Sequence, residues 1–250
     1  MDEVTRANRT AWDNAYQHSY VAPTGEPALL AAEHDLLRDI LATRPMVVHP
    51  QSGNGQDDIA LARAGARTVI GIDYSAVTVR ETRRRAVAAG AACCYLLGTV
   101  PGVPLADSCA DLVYTGKGAL IWMPDIDAWA REMARLVRPG GHLFVYESHP
   151  ATELWTREPD RVRIRPDRSY FGRSFVCDDD SFPAHGAVMW QWTLGRTVTA
   201  VVRAGLEIRH LEEYPEPFWR MGGIDSTAFQ GRLPNSFALL ARATDDGLRG

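Results

Sequence analysis

No stretch of this 250-residue chain approaches the roughly 20 consecutive apolar residues that a membrane span requires. The N-terminus, MDEVTRANRT, lacks the basic-then-apolar pattern of a secretory signal. The four cysteines, Cys93, Cys94, Cys109 and Cys177, show neither C-x-x-C spacing nor a regular framework, which argues against a disulfide scaffold, and no metal site is read. A basic stripe is also missing. Net charge is −4, and the single dense cationic run, RETRRRA at 80–86, falls on a helix as a solvated face. Internal repeats and low-complexity segments are absent. The expectation is a cytoplasmic, disulfide-free protein, monomer or homodimer, with neither nucleic acid nor membrane as partner. At 46% hydrophobic and 23% charged residues, one domain spanning 1–250 can bury a full α/β core.

The chemistry begins at residues 45–58, PMVVHPQSGNGQDD, where a short β-branched run breaks into a turn containing Gly53 and Gly55. The next apolar run, TVIGIDYS, delivers Asp73. Strand, glycine turn, helix and a second strand ending in a carboxylate form the layout of a nucleotide-binding βαβ unit. Glycine lets backbone N–H groups approach a ligand, and the helix starting near Gln56 offers its positive end. Asp73 can accept hydrogen bonds from both hydroxyls of a ribose. The G-x-G-x-x-G spacing of dinucleotide sites fails because Asp58 takes the third glycine's place, and Asp57 with Asp58 would repel a pyrophosphate. An adenosine with a cationic or zwitterionic arm fits better.

Periodicity predicts helices over 5–18 and 27–43, then strands near 46–49, 68–72, 93–97, 111–115 and 142–147, separated by helices near 56–64, 75–89 and 125–137. Such alternation implies a parallel sheet with helices on both faces. Residues 1–44 form a helical cap, 45–148 the ligand-binding core, 149–191 an insertion rich in proline and charge, and 192–250 the completion of the sheet.

Four pieces in order resemble the class I S-adenosylmethionine (SAM) dependent methyltransferases: HPQSGNGQD, VIGIDYS, LLGTVPGVPLADSCADLVYTGKGAL and ARLVRPGGHLFVYE. The wording is similar to a bacterial small-molecule branch whose loop reads His-x-Gln-x-x-x-Gly (His49, Gln51, Gly55), with Trp-x-Pro-Asp after strand four (Trp122 to Asp125) and an opening helix like NRTAWD. The resemblance implies a Rossmann-like seven-stranded sheet of order 3-2-1-4-5-7-6, the last strand antiparallel. It implies SAM as cofactor, S-adenosyl-L-homocysteine (SAH) as product, a small-molecule acceptor and a place in secondary metabolism. Two departures stand out: His49 where relatives carry an acidic residue, and Thr99 where an Asp usually reads the adenine amine.

By the same resemblance Gln51, Ser52, Gly53, Asn54, Gly55, Gln56 and Asp57 take the methionine portion, and Asp73 the ribose. Tyr74 either covers the adenine or packs at the helix start, and Thr99 with Val100 meets the adenine edge. Thr115, Gly116 and Lys117 lie beside the sulfonium. Lys117 either faces an anion or points into solvent, since an ammonium beside a sulfonium is unfavourable. Glu147 and His149, which follow strand five at the same rim, are the base candidates, His149 being otherwise a hydrogen-bonded turn residue. The aromatics Tyr16 and Tyr20 of the cap, Trp122 after strand four, Tyr170, Phe171 and Trp190 of the insertion and Trp219 beyond it, together with His18, suggest a planar or apolar acceptor. Only one of Trp190 and Trp192 is expected to face the pocket. Residues 1–20 and the insertion are expected to close as a lid. Two other readings stay open: an NAD(P)-dependent oxidoreductase, which shares the βαβ logic, and a non-catalytic SAM-binding module.

Overall fold

The computed structural model describes residues 2–18, 25–156, 163–178, 186–217 and 232–244. Two helices, α1 (Glu3–His18) and α2 (Ala31–Ala42), precede the first strand. Then β1 (Met46–Pro50), α3 (Gln56–Arg63), β2 (Thr68–Asp73), α4 (Ala76–Ala88), β3 (Cys93–Leu97), β4 (Ala110–Gly116), α5 (Ile126–Leu136) and β5 (Val137–Ser148) follow. A hairpin of β6 (Ser174–Val176) and β7 (Val188–Trp190) stands apart, and α6 (Leu194–Arg203), β8 (Leu206–Tyr214) and β9 (Ser236–Ala243) return to the main sheet.

That sheet has the order β3-β2-β1-β4-β5-β9-β8. With the hairpin set aside, β8 and β9 are the sixth and seventh core strands, so the order is the expected 3-2-1-4-5-7-6. β9 runs antiparallel to both neighbours, and the first five strands pair in parallel. β1 is paired along both edges by β2 and β4, and it is covered on both faces, since Val48 enters one core and Val47 the other. That placement explains why MVVHP reads as a continuous apolar run, not an alternating one.

Each face of the sheet carries helices for a local reason. Asp125 caps α5 by accepting from the N–H groups of Asp127 and Ala128 at 2.9 Å, and Ile126, Trp129, Ala130 and Met133 then repeat at helical spacing into one core. α6, capped by Thr193, adds Ala200 and Val201 to the same core. On the opposite face α2 contributes Leu37 and Leu41, packed with Val47, Leu112, Tyr114 and Phe144. This helix begins at Ala31, later than its periodicity predicts, because Leu30 is extended (φ −72°, ψ 163°) and its N–H is held by Glu33 Oε2 at 2.8 Å.

The end of β4 is shaped by one close approach. A Cβ on Gly116 would stand 2.0 Å from the Tyr146 carbonyl oxygen, and its φ is 144°. Only glycine passes there, and the chain then turns away over the carboxyl edge of the sheet. Among the described residues no helix is long and apolar enough to cross a membrane.

Candidate functional site

In open α/β sheets a ligand lies beyond the carboxyl ends of the strands where the order reverses, here between β1 and β4. The bend after β1 passes through left-handed conformations at Gln51 (φ 62°), Gly53 (φ 54°) and Gly55 (φ 73°). Ser52 N–H donates to Ile72 O at 2.9 Å, and Gln51 Nε2 donates to Ala119 O at 2.9 Å, tying the bend to β2 and to the loop after β4. The two glycines serve different ends. A Cβ on Gly53 would meet only the Tyr16 hydroxyl, at a van der Waals distance of 4.0 Å, so this residue faces α1 and not the packed core. One on Gly55 would press on Thr82 and Tyr95 at 3.0 Å, so that glycine serves packing of α3 and α4 on the sheet. Gln51 Oε1, Ser52 Oγ and Thr115 Oγ1 are buried without a hydrogen-bond partner, and the Ser52 hydroxyl is turned toward Gly71 of β2.

Asp73 ends β2 facing this bend. Its Oδ2 accepts from Gly53 N–H at 3.2 Å and its Oδ1 from Ser75 N–H at 2.8 Å. Each oxygen retains a lone pair for a ribose hydroxyl. Desolvation pushes the Asp73 carboxyl up from 3.8 to about 7, against the two N–H bonds and with Asp13 adding to the rise. A carboxyl raised on folding favours the protonated fold, so its contribution to stability is full below about pH 4 and is lost as pH rises through about 7. Ligand affinity runs the other way, because ribose hydroxyls donate to the ionised form. Affinity for SAH should therefore fall about tenfold per pH unit below about pH 7, and Asp73→Asn should flatten the profile, as titration calorimetry across that range measures.

α1 lies across the same edge. Asp13 accepts from the Ser75 hydroxyl, two residues beyond Asp73, while Trp12 meets Trp122 edge-on with ring centroids 5.6 Å apart. Buried Asn8 pairs with the backbone of Val188 in β7, donating at 2.7 Å and accepting at 2.9 Å. The helix thus bridges the glycine bend and the insertion. Tyr74 lies within electrostatic reach of Asp13 and Arg9, and burial raises its phenol above the ordinary value.

Beneath the bend runs a buried chain of charges. His49 Nδ1 and Asp58 Oδ1 are 2.6 Å apart and both residues are buried. Asp58 therefore faces the interior, and the expectation that it repels a pyrophosphate is corrected; what it does is occupy the close helix–sheet contact that a third glycine would supply. Asp57, likewise, is neutralised. Lys117, the sole lysine of the chain, donates to Asp57 and lies 3.0 Å from Glu33 Oε2. Burial alone would lower the Lys117 ammonium, but the two carboxylates carry it above its ordinary value. Glu33, fully buried, is raised by desolvation and accepts from the Tyr114 hydroxyl. Lys117 thus points inward to carboxylates of the protein itself.

At the β5 rim both base candidates are already engaged. Glu147 Oε1 accepts from Gly118 N–H at 2.6 Å and Ser148 N–H at 2.9 Å, and Oε2 accepts from Leu120 N–H at 2.9 Å. Burial raises this carboxyl, against those N–H groups. Its place in the structure is that of a clamp on the loop after β4, not of a base open to solvent. Glu147→Gln should lower stability by about 2 kcal/mol by setting an amide N–H₂ against backbone donors. Urea unfolding measures it, and an unchanged midpoint would contradict the clamp. His149 is buried and its Nδ1 accepts from Ala151 N–H at 3.2 Å. A backbone N–H only donates, so the ring proton sits on Nε2, 2.8 Å from Glu213 Oε1. Desolvation lowers the His149 value, with Glu213 opposing.

A small cleft opens beside this rim, lined by residues that include Leu120, Glu147, His149, Trp190, Trp192 and Phe237. Trp190 and Trp192 both line it, which corrects the expectation that only one does. Trp192 Nε1 donates to Met123 O at 2.8 Å. Phe171 is 85% exposed, so it does not line a pocket, and the Tyr170 hydroxyl accepts from Leu194 N–H at the start of α6. His18, at the exposed end of α1, contacts Asn14 O at 3.0 Å. Thr99 Oγ1 donates to Pro101 O at 3.3 Å, and Val100 packs against the main core. Tyr20 and Trp219 lie outside the described residues. Glu33, Asp13 and Glu213 were not anticipated. For Glu33 a signal existed, since it stands four residues before Leu37 and eight before Leu41 on the buried stripe of α2.

Residues 47–141 match the family described as "Methyltransferase domain". A malonyl-[acyl-carrier protein] O-methyltransferase of Pectobacterium atrosepticum is 35% identical over 79 residues, which are 32% of this chain and 29% of that protein. Among solved structures, a SAM-dependent methyltransferase from Mesorhizobium loti superposes with TM-score 0.66 at 24% identity, covering 85% of this chain and 98% of that one. The [4+2]-cyclase SpnF superposes with TM-score 0.58 at 17% identity, covering 96% and 94%. Residues 47–141 thus carry a methyltransferase-domain match, set on a sheet whose fold is shared with solved SAM-dependent methyltransferase structures.

Proposed function

We propose that the protein transfers a methyl group from SAM to an N, O or C nucleophile of a small planar or apolar acceptor, by direct displacement, in secondary metabolism. The observation that carries the reading is the hydrogen bond between Gly53 N–H and the Asp73 carboxylate across the sheet's reversal point, where only the Tyr16 hydroxyl stands against Gly53. The site fits the cofactor: spare lone pairs on Asp73 suit a ribose, and the partnerless Gln51 Oε1 and Thr115 Oγ1 suit a polar arm. When bound, SAM supplies an activated methyl on a sulfonium that leaves as a neutral thioether.

The chain's own residues supply position and dryness. The bend from Gln51 to Asp57 holds the methionine portion, Asp73 the ribose, Tyr74 with Thr99 and Val100 the adenine, and Thr115 to Lys117 flank the sulfur. Tyr16, assigned from sequence to the acceptor, is better placed over Gly53 as a cofactor contact. α1 acts as a lid, pinned at Asn8 to the insertion and at Asp13 beside Asp73. Glu147 is buried and held by three backbone N–H groups, and both ring nitrogens of His149 are engaged, so positioning does the work that a base was expected to share.

The oxidoreductase reading is opposed by Asp58, whose side chain fills the place of the third glycine. Titration of SAH against NAD separates the two: SAH should bind and NAD should not, and the reverse would sink the methyltransferase reading. Because the same fold serves a cyclase in SpnF, formation of SAH from SAM on turnover is the second readout.

A further inference from the structure

We propose that Glu132 and Arg135 of α5 are a positioning pair for the adenine end of the cofactor site, holding the loop after β3 so that its tip meets the base in register with Asp73. This rests on the methyltransferase reading and deepens it.

Between β3 and β4 the chain runs through residues 98–109 without strand or helix. Such a loop has no ladder partners for its backbone N–H and C=O groups, and Pro101 and Pro104 bring no N–H at all. Two side chains one helical turn apart collect those groups. Glu132 Oε1 accepts from Val103 N–H at 2.7 Å and from Arg135 Nη2 at 2.7 Å. Arg135 Nη2 also donates to Val103 O at 3.0 Å, and Nη1 donates to Leu105 O at 2.8 Å and to Asp107 Oδ1 at 2.7 Å. The Arg135 carbonyl accepts from Ser108 N–H at 2.8 Å. Burial would raise the Glu132 carboxyl, but Arg135 and the Val103 N–H hold it below its ordinary value. The bonds to it are therefore charge-assisted, and the guanidinium presents its donors as a rigid fork that a lysine could not reproduce.

The second observation is that the half of the loop held by α5 touches the half that faces the ligand. Pro104 lies over Gly98, where a Cβ would stand 2.7 Å from Pro104 Cδ and 3.0 Å from Ile72 Cγ2. Gly98 N–H in turn donates to Asp73 O at 3.0 Å. A short path thus leads from Glu132 through Val103, Pro104 and Gly98 to the backbone of the ribose-binding residue. The tip from Thr99 to Gly102 is suspended between the two fixed points, Gly98 and Val103. A tip that is already fixed need not be ordered when the base arrives, and that saving appears as affinity.

The test measures SAH, adenosine and S-ribosylhomocysteine, which is SAH without its base, by calorimetry well below the melting temperature. A loss of stability alone leaves the affinity of the folded molecules unchanged under that condition. Glu132→Ala should weaken SAH and adenosine about tenfold each, with S-ribosylhomocysteine within about twofold of its wild-type value. Glu132→Gln keeps an oxygen in the place of Oε1 and should hold SAH affinity within about threefold of wild type. Gly98→Ala pushes Pro104 off the start of the loop with the ion pair intact, and should give the same base-specific loss as Glu132→Ala. Wild-type SAH affinity in Glu132→Ala and Gly98→Ala, or an equal loss for S-ribosylhomocysteine, overturns the proposal. Failure of SAH to bind the wild-type protein would overturn the methyltransferase reading beneath it.

Discussion

Asp73→Ala is expected to weaken SAH binding about 100-fold while leaving a folded protein. Two ribose hydroxyls donating to an ionised carboxylate form charge-assisted bonds worth about 1.5 kcal/mol or more each. Their joint loss, about 3 kcal/mol, corresponds to roughly two decades of affinity. The substitution also frees Gly53 N–H and Ser75 N–H, so the bend loses the acceptor that now holds it against β2. Both effects act on the ligand-binding edge, whereas the strand core is untouched, because Val69 and Ile72 carry the packing of β2. Adenosine should lose affinity by the same factor as SAH, since the ribose is the shared part. Calorimetry with the two ligands measures this. Affinity within about twofold of wild type would show that the ribose is held elsewhere.

Lys117→Met is expected to destabilise the fold by about 3–5 kcal/mol, because it breaks a buried ion pair and leaves Glu33 without a counter-charge. Glu33 and Asp57 would then face each other across the space that the ammonium fills. For a chain of this size that loss lowers the melting temperature by roughly 6–20 °C. The sign with pH follows from Glu33, whose carboxyl is already raised by burial and would be raised further without Lys117. A raised carboxyl stabilises the fold in its protonated form, so the variant should lose stability as pH climbs through the raised value and recover on acidification. Adding Glu33→Gln should restore most of the loss, because it removes the stranded charge. Thermal unfolding of the single and double variants decides it. An unchanged melting temperature in Lys117→Met would mean that water already screens the cluster.

Those two residues also mark what a sequence can and cannot disclose. β1, the glycine bend and Asp73 were legible because each rests on local pattern: a continuous β-branched run, a turn that demands positive φ, and a strand-ending carboxylate. The strand order followed from the resemblance and was found in the sheet. Side-chain pairings across long separations left no local trace. Asn8 meets Val188 across 180 residues, and Glu33 meets Lys117 only because α2 packs over the ends of β1 and β4. The clamp that Glu147 forms left no trace for the same reason: its partners Gly118 and Leu120 are placed by how β4 turns at Gly116, which spacing does not encode. Aromatic content marked Phe171 and Trp190 alike, yet one is exposed and the other lines the cleft.

The most direct measurement is a crystal structure with SAH bound. The ribose hydroxyls should lie within about 3 Å of the Asp73 carboxylate, with the homocysteine arm along the bend from Gln51 to Asp57. SAH bound away from β1 and β4, or an Asp73 carboxylate turned from the ligand with that space filled by protein, would contradict the proposed site.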